Sequence, residues 1–213
     1  MTRWEKASLS EIETVPVPES LTWIPVRRHL GIEAFGVNAY TAAEAGQEVV
    51  ERHTEEVRGH EELYVVVSGR AAFTLDGEEL DAPAGTLVFV RDPPVERAAT
   101  AVEAGTTVLA LGGKPGAAYS PGPWEWVFVA RTLGVQGHHE AAIVEIERGL
   151  EVHPENPALL YRLACWEAVS GRADDALAHL GQAVERRGDL REHAQSEELF
   201  ASIRDDPRFP TAS

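Results

Sequence analysis

The sequence predicts a two-domain fold in which an all-β, antiparallel half precedes an all-α half. Three observations predict it. Short runs rich in β-branched and aromatic residues, separated by turn signals, extend from Phe35 to Leu111. A segment dense in Gly and Pro then interrupts the strand pattern. From Pro123 onward, apolar and small residues recur with a period of 34, which is typical of stacked helical pairs. We place the boundary near Pro121.

Composition narrows the classes of partner. The 213 residues carry a formal net charge of −16, so the surface would repel a nucleic-acid backbone or an anionic membrane. No run approaches the roughly 18 apolar residues of a membrane span, and the N-terminus lacks the apolar centre of a signal peptide. The single cysteine, Cys165, excludes an internal disulfide and agrees with a reducing compartment. We therefore expect a cytoplasmic protein, in which any metal would need His and carboxylate ligands.

The β half follows an N-terminal extension, residues 1–34, which we expect to pack on it. Its strands are predicted in five runs spaced as in a compact barrel or sandwich: FGVNAYTA, ELYVVVSG, AAFTLDG, GTLVFVRDPP and TTVLALGG. The DGE segment predicts a tight hairpin turn, because Gly77 tolerates the positive φ that such a turn demands. The SGR segment, Ser68–Arg70, predicts another. Residues 35–120 are accordingly interpreted as one antiparallel double sheet.

The helical half repeats itself along the chain. The recurring positions are Trp126, Val129, Ala130, Leu133, Ala142, Ile146, Gly149 and Pro154, followed 34 residues later by Leu160, Leu163, Ala164, Glu167, Ala176, Leu180, Ala183 and Gly188. This pattern resembles the tetratricopeptide repeat, a pair of antiparallel helices whose small residues let neighbouring helices approach closely. The resemblance implies repeats at 123–156 and 157–190, then a capping helix and tail at 191–213. Glu167 departs from the pattern, which prefers an aromatic residue there.

Repeats of this kind commonly offer a concave groove to an extended peptide. The groove side of these two would carry Trp124, Val127, Arg131, Ala158, Tyr161 and Cys165. Two repeats make a short groove, so docking on the β half and recruitment of a separate protein or peptide partner remain alternatives. Cys165 is interpreted as a small core residue rather than a nucleophile.

The segment HEELY, residues 60–64, holds the candidate functional residues. Side chains alternate along a strand, so His60, Glu62 and Tyr64 share one face. If that face lines the interior, its imidazole and carboxylate must be paired, hydrogen-bonded or bound to a metal, because burying them bare is costly. The alternative interpretation places them on a solvent-exposed edge, which is usual for charged residues in an acidic protein.

From about residue 35 to 112 the sequence resembles the cupin family. Glu62 and Gly69 have the spacing that ends the first cupin motif, and the stretch APAGTLVFVRDPP is similar to the second, with Gly85 opening a strand. The resemblance implies a small β-barrel that binds a small polar ligand. It also implies self-association through the outer sheet, and therefore a homodimer.

A complete cupin site would present three His and one Glu, which implies where ligands should lie in this chain. The first cupin motif contains two His separated by one residue, and His53 and Glu55 form a His-x-Glu version of that pair. An alignment to the motif without an insertion would instead place Glu56 and Arg58 at these positions. Counting from Gly85 puts Glu96 where the last His belongs. The resemblance thus implies metal ligands at His53, Glu55, His60 and Glu62, and a ligand pocket lined by His60, Glu62, Tyr64 and Glu96. The metal would be one divalent Fe, Mn or Zn ion.

Two hypotheses of function follow. In the first, the chain is a binding or regulatory protein whose barrel holds a small polar ligand while the helical half docks internally or on a partner. In the second, it is a metal-dependent enzyme of the dioxygenase or isomerase type, with His53, His60 and Glu62 as ligands. The missing third His favours the first hypothesis.

Overall fold

The structure is a computed structural model that describes residues 6–17 and 21–211. The chain divides into two compact units, Met1–Ser120 and Pro121–Ser213. Within the part of the chain so described, every helix is too short or too polar to cross a membrane.

The first unit consists of two antiparallel sheets. The described residues of the larger sheet form six strands, in the order β1 (Val15–Pro16), β2 (Thr22–Ile24), β3 (Gly36–Thr41), β10 (Thr107–Gly113), β5 (Glu61–Ser68) and β8 (Leu87–Val90). The described strands of the smaller sheet are β4 (Glu48–His53), β9 (Arg97–Ala101), β6 (Arg70–Leu75) and β7 (Glu78–Pro83), in that order. A five-residue helix, α1 (Val26–Leu30), connects β2 to β3. The all-β, antiparallel nature of this half is as the sequence predicts.

The core of the β unit lies between the two sheets. Strand β5 shows how the sequence achieves this, because Tyr64 and Val66 are buried while Val67 is exposed. Across from them, Phe73 and Ala99 supply the smaller sheet's side of the same apolar cluster. The inward face of β5 is therefore the one that carries Glu62 and Tyr64.

The N-terminal extension joins the larger sheet. Strand β2 pairs with β3, and Ile12, Ile24 and Val26 form an apolar cluster with Val37 and Ala39. Residues 1–5 and 18–20 of the extension lie outside the described residues.

Two hairpin turns fix the register of the strands that lead to the site. Asp76 and Gly77 join β6 to β7 with φ angles of 49° and 85°, the left-handed geometry that the DGE segment predicts. Gly69 joins β5 to β6 with a φ of 70°, and a Cβ there would lie 2.5 Å from Oγ1 of Thr106. Only glycine fits this second turn without strain.

The second unit is helical. Its described helices are α2 (Trp124–Val135), α3 (His139–Val152), α4 (Pro157–Val169), α5 (Ala173–Arg186) and α6 (Leu190–Ser196), followed by a 3-10 helix, Glu198–Phe200. Asn156 caps α4, its Oδ1 accepting hydrogen bonds from the backbone N–H groups of Ala158 and Leu159. A helical region after the β half is thus present, as the sequence predicts.

The C-terminal segment covers part of the expected groove. Tyr161 and Cys165 are buried in one cluster with Phe200 and Phe209, and the rings of Tyr161 and Phe200 meet edge to face at 5.4 Å. Placing these two residues on an open groove is therefore wrong. Burial raises the pKa of the Cys165 thiol to about 12, in keeping with an inert core residue.

A buried ion pair connects α4 to α5. Glu167 is almost fully buried, and its Oε2 lies 2.8 Å from Nδ1 of His179. The hydrogen bond with Glu167 raises the pKa of His179, although partial burial opposes it; Asp175 and Glu147 add to the increase. The burial of Glu167 is therefore compensated by a partner on the next helix.

Replacing Gly69 by Ala is expected to lower the free energy of unfolding by roughly 2 to 4 kcal/mol, because backbone strain adds to the clash with Thr106. Gly77→Ala is the matched control: its backbone is also left-handed, but its Cβ would meet open space. The control should cost only about 1 to 2 kcal/mol. Urea unfolding followed by circular dichroism makes the comparison, and equal losses at the two positions would contradict it.

The Glu167–His179 pair should make stability depend on pH. Because the pKa of His179 is raised in the folded state, its contribution is complete below about pH 6.5, the unfolded value, and is lost as the pH rises through the folded pKa. His179 is about one-third exposed, so we expect at most about 1 kcal/mol. Urea unfolding of wild type and Glu167→Gln between pH 5.5 and 8.5 tests this. A difference between the two proteins that does not shrink with rising pH would contradict it.

Candidate functional site

Polar side chains from both sheets meet at one place in the β unit. Strand β4 ends there, β5 begins there, and β9 begins opposite β4, where His53 pairs with Arg97 in the ladder. We call this set the polar cluster; it comprises His53, Glu55, His60, Glu62, Tyr64 and Arg97. The side chains are largely withdrawn from solvent: 31% of His53, 10% of Glu55, 12% of His60 and 14% of Glu62 remains exposed.

One oxygen is the centre of the polar cluster. Oε2 of Glu62 accepts a hydrogen bond of 2.6 Å from the hydroxyl of Tyr64. Nε of Arg97 lies 3.2 Å from the same oxygen, and Nε2 of His53 lies 3.4 Å from it. One hydrogen bond and two ion-pair contacts therefore converge on a single carboxylate oxygen.

Arg97 is the most deeply buried charge of the cluster. Its side chain is 0% exposed, and Nη1 donates a hydrogen bond of 3.0 Å to the carbonyl oxygen of Pro93. Nε lies close enough to Glu62 for an ion pair but is not aligned for a hydrogen bond. Nη2 has no hydrogen-bond partner among the described residues. Because a guanidinium does not lose its charge, Glu62 is the counter-ion that makes this burial tolerable.

Glu55 reaches the cluster from a tight loop between β4 and β5. Its backbone N–H donates to the carbonyl oxygen of Pro93, and its own carbonyl accepts from Gly59, whose φ of 69° closes the turn. Oε1 lies 3.8 Å from Nε2 of His53, and Oε2 lies 3.4 Å from Nδ1 of His60. Oε2 is buried and has no hydrogen-bond partner among the described residues.

His53 is held between two acceptors. Nδ1 lies 2.6 Å from the backbone carbonyl oxygen of Glu51, so we assign the proton on Nδ1 as donated to that carbonyl. Burial lowers the pKa of His53, but the Glu62 carboxylate and the Glu51 carbonyl raise it by more, so the net shift is upward. The environment thus favours the positively charged ring.

The pKa of Glu62 moves the other way. Burial raises the pKa, but His53, Tyr64 and Arg97 together lower it by more, so the ionised carboxylate is favoured. Burial first, and the charge of Glu62 second, raise the pKa of Tyr64, which therefore stays a neutral donor. The cluster consequently places the Glu62 carboxylate between the Arg97 guanidinium and the His53 ring, and both neighbours favour its ionised form.

The structure brings most of the expected site residues together. Ligating atoms of His53, Glu55 and Glu62 lie within 4.8 Å of one another, the one such group among the described residues. His60 is not part of that group; it lies beside Glu55, with its ring centroid 5.8 Å from that of Tyr119.

Glu96 lies apart from the polar cluster. Its side chain is about half exposed and forms an ion pair with Arg52. Successive residues of a strand face opposite sides, so it is Arg97, the next residue, that points inward. Sequence reasoning missed Arg97, and the signal that could have revealed it is an arginine beginning a predicted buried strand.

The donor set does not fit a divalent metal ion as it stands. The separations of 3.4 Å and 3.8 Å from Nε2 of His53 to Glu62 and Glu55 would suit ligands around one ion. However, an ion on Oε2 of Glu62 would displace the Tyr64 hydroxyl and lie beside the buried Arg97 guanidinium. Two positive charges at such a distance in a poorly solvated site repel strongly.

Several of the solved structures that the chain resembles are described as cupin proteins. A cupin protein from Bacteroides fragilis is 22% identical, with 57% of this chain and 93% of that chain covered and a TM-score of 0.43. A sugar phosphate isomerase from a cupin superfamily, from Silicibacter pomeroyi, is 20% identical over 52% of this chain and 76% of that one, with a TM-score of 0.43. A predicted oxalate decarboxylase from Thermotoga maritima is 17% identical over 52% of this chain and 99% of that one, with a TM-score of 0.44. No family model and no curated protein matches the chain.

Removing either member of the Glu62–Arg97 pair should be costly. Glu62→Gln is expected to lower the free energy of unfolding by about 3 kcal/mol, because it leaves a buried guanidinium without its counter-ion. Arg97→Met should cost a similar amount, and the double variant should cost at least about 1 kcal/mol less than the sum. Urea unfolding of the four proteins measures the coupling.

The exposed pair Arg52 and Glu96 provides the matched control. The same cycle with Arg52→Met and Glu96→Gln should give a coupling below about 1 kcal/mol. Equal coupling in the two cycles would contradict the structural role assigned to the buried pair.

Proposed function

We propose that the chain is a binding protein that holds a small polar ligand in its β unit and carries a helical docking module. The observation that carries this proposal is Oε2 of Glu55, a buried carboxylate oxygen without a hydrogen-bond partner among the described residues. Nδ1 of His60 lies 3.4 Å from it but makes no hydrogen bond, and a buried acceptor without a hydrogen bond costs free energy. A ligand that donates a hydrogen bond would satisfy it.

The surroundings of Glu55 indicate the chemistry of that ligand. His53 and His60 flank the carboxylate at 3.8 Å and 3.4 Å, and His53 retains the largest exposed fraction among the histidines and glutamates of the cluster. Ring nitrogens can accept or donate, while the carboxylate only accepts. The ligand class that matches is a small molecule with hydroxyl or amine donors. His53, the most exposed of these side chains, marks the side of the cluster from which such a ligand would enter.

A cupin-like barrel is the architecture we propose for the β unit. Two observations support it: the antiparallel double sheet, and the polar residues of the HEELY segment on its interior side. Glu62 and Gly112 are in close contact across β5 and β10, since a Cβ on Gly112 would lie 3.2 Å from Cγ of Glu62. A small residue at this position leaves room for the carboxylate.

Two tetratricopeptide repeats are the architecture we propose for the helical unit. The turns after α2 and α4 match at an offset of 34 residues: Gly137 and Gly171 have φ angles of 84° and 78°. Their N–H groups donate to the equivalent carbonyls of Gly134 and Ala168. The same helix-ending turn occurring twice at the repeat period supports the repeat interpretation.

Side-chain packing supports the same interpretation. A Cβ on Gly149 would lie 3.0 Å from Cγ of Trp126, so the indole fills the space beside a glycine. Thirty-four residues later, Leu160 and Ala183 belong to one apolar cluster. A large residue facing a small one recurs, and such a stack of helices serves as a docking module.

Ligand binding can be tested with small hydroxy acids, sugars, polyols and amines, added separately and followed in ¹H–¹⁵N spectra. At least one class should shift the amides of Gly59 and Gly112, which adjoin Glu55 and Glu62. Glu55→Gln should weaken that binding about tenfold or more, because the acceptor loses its charge. Glu96→Gln is the control and should bind as wild type does. Absence of a response in every class, or undiminished binding by Glu55→Gln, would overturn the proposal.

A further inference from the structure

We propose that Arg97 takes the electrostatic place of a divalent metal ion in the polar cluster, and that removing its charge would turn His53, Glu55 and Glu62 into a metal site. This inference concerns the same site as the proposed function but does not depend on the identity of the ligand. It starts from the contrast between a donor set that could ligate a metal and a guanidinium that already neutralises it.

Arg97 already supplies positive charge where a metal ion would bind. A metal ion held by His53, Glu55 and Glu62 would neutralise two carboxylates in a poorly solvated site. Arg97 already provides a permanent positive charge 3.2 Å from Oε2 of Glu62. The carboxylate that a metal would need most is therefore occupied by a protein cation.

The packing of Arg97 prevents it from moving aside. Its side chain is 0% exposed, and Nη1 is tied to the carbonyl oxygen of Pro93 at 3.0 Å. Its backbone is fixed in β9, paired with β4 at His53 and with β6 at Leu75. Swinging the guanidinium away would leave it buried without a counter-ion, which is strongly unfavourable. Arg97 thus acts as a resident cation rather than a movable side chain.

Without the guanidinium, a set of metal-ligating side chains would remain. The ligating atoms of His53, Glu55 and Glu62 lie within 4.8 Å of one another. The backbone carbonyl of Glu51 orients the His53 ring through Nδ1, which directs Nε2 toward the carboxylates. One imidazole and two carboxylates with open positions suit Mn²⁺, Fe²⁺, Co²⁺ or Zn²⁺.

The experiment compares Co²⁺ binding by wild type, Arg97→Met and the double variant Arg97→Met/Glu62→Gln, read from the visible absorption of the ion. Wild type should bind no stoichiometric Co²⁺ at the cluster. Arg97→Met keeps a long, unbranched side chain but removes the positive charge. It should bind one equivalent of Co²⁺, with an affinity at least 100-fold higher than that of wild type. The double variant should lose that gain. Arg52→Met, which removes an exposed arginine, is the control and should behave as wild type does.

Thermal unfolding adds a readout that does not depend on absorption. Co²⁺ or Zn²⁺ should raise the Tm of Arg97→Met and leave that of wild type unchanged. One equivalent of Co²⁺ bound by wild type and lost in Glu62→Gln would overturn the inference, whether or not Arg97→Met folds. A folded Arg97→Met that binds Co²⁺ no more tightly than wild type does would also overturn it. A small molecule that binds wild type only after a metal is added would also overturn it, while leaving the proposed function standing.

Discussion

The ion pair between Glu62 and Arg97 constrains the whole polar cluster. Arg97 is fully buried and permanently charged, so β9 can begin where it does only if a carboxylate faces it from β5. The Tyr64 hydroxyl then donates to the same oxygen, and Nε2 of His53 lies 3.4 Å from it. The two sheets are thereby joined by a polar contact beside the apolar cluster that fills the space between them. Glu55 has no such set of donors, and it is the group to which we propose that a ligand binds.

The helical unit follows the same rule that a buried charge needs a fixed partner. Glu167 is almost fully buried on α4, and His179 on the next helix compensates for its burial. Elsewhere the unit relies on size complementarity: Gly134 and Gly149 leave room for Trp166 and Trp126, respectively. In both units, then, most of the described packing is apolar, and charged groups that are buried within it have partners of opposite charge, as Arg97 and Glu167 show.

Sequence patterns predicted an antiparallel β half followed by a helical half, because periodicity and turn chemistry are local. The alternation along the HEELY segment places Glu62 and Tyr64 on one side, and the hydrogen bond between them agrees. Arg97 was missed because counting residues from a family motif put Glu96 in the last ligand position. A shift of one residue in a strand reverses which side chain faces inward. The Glu167–His179 pair was missed because its members lie on different helices, and no local pattern links them.

The central claim is that the guanidinium of Arg97 is locked against the Glu62 carboxylate in a dry interior. The most direct measurement is the Nε–H resonance of Arg97 in ¹H–¹⁵N spectra, assigned by its loss in Arg97→Lys. A locked, buried group should give a resolved resonance that exchanges slowly with water and shifts in Glu62→Gln. A resonance at the position of solvent-exposed arginines, exchanging rapidly and unaffected by Glu62→Gln, would contradict the claim.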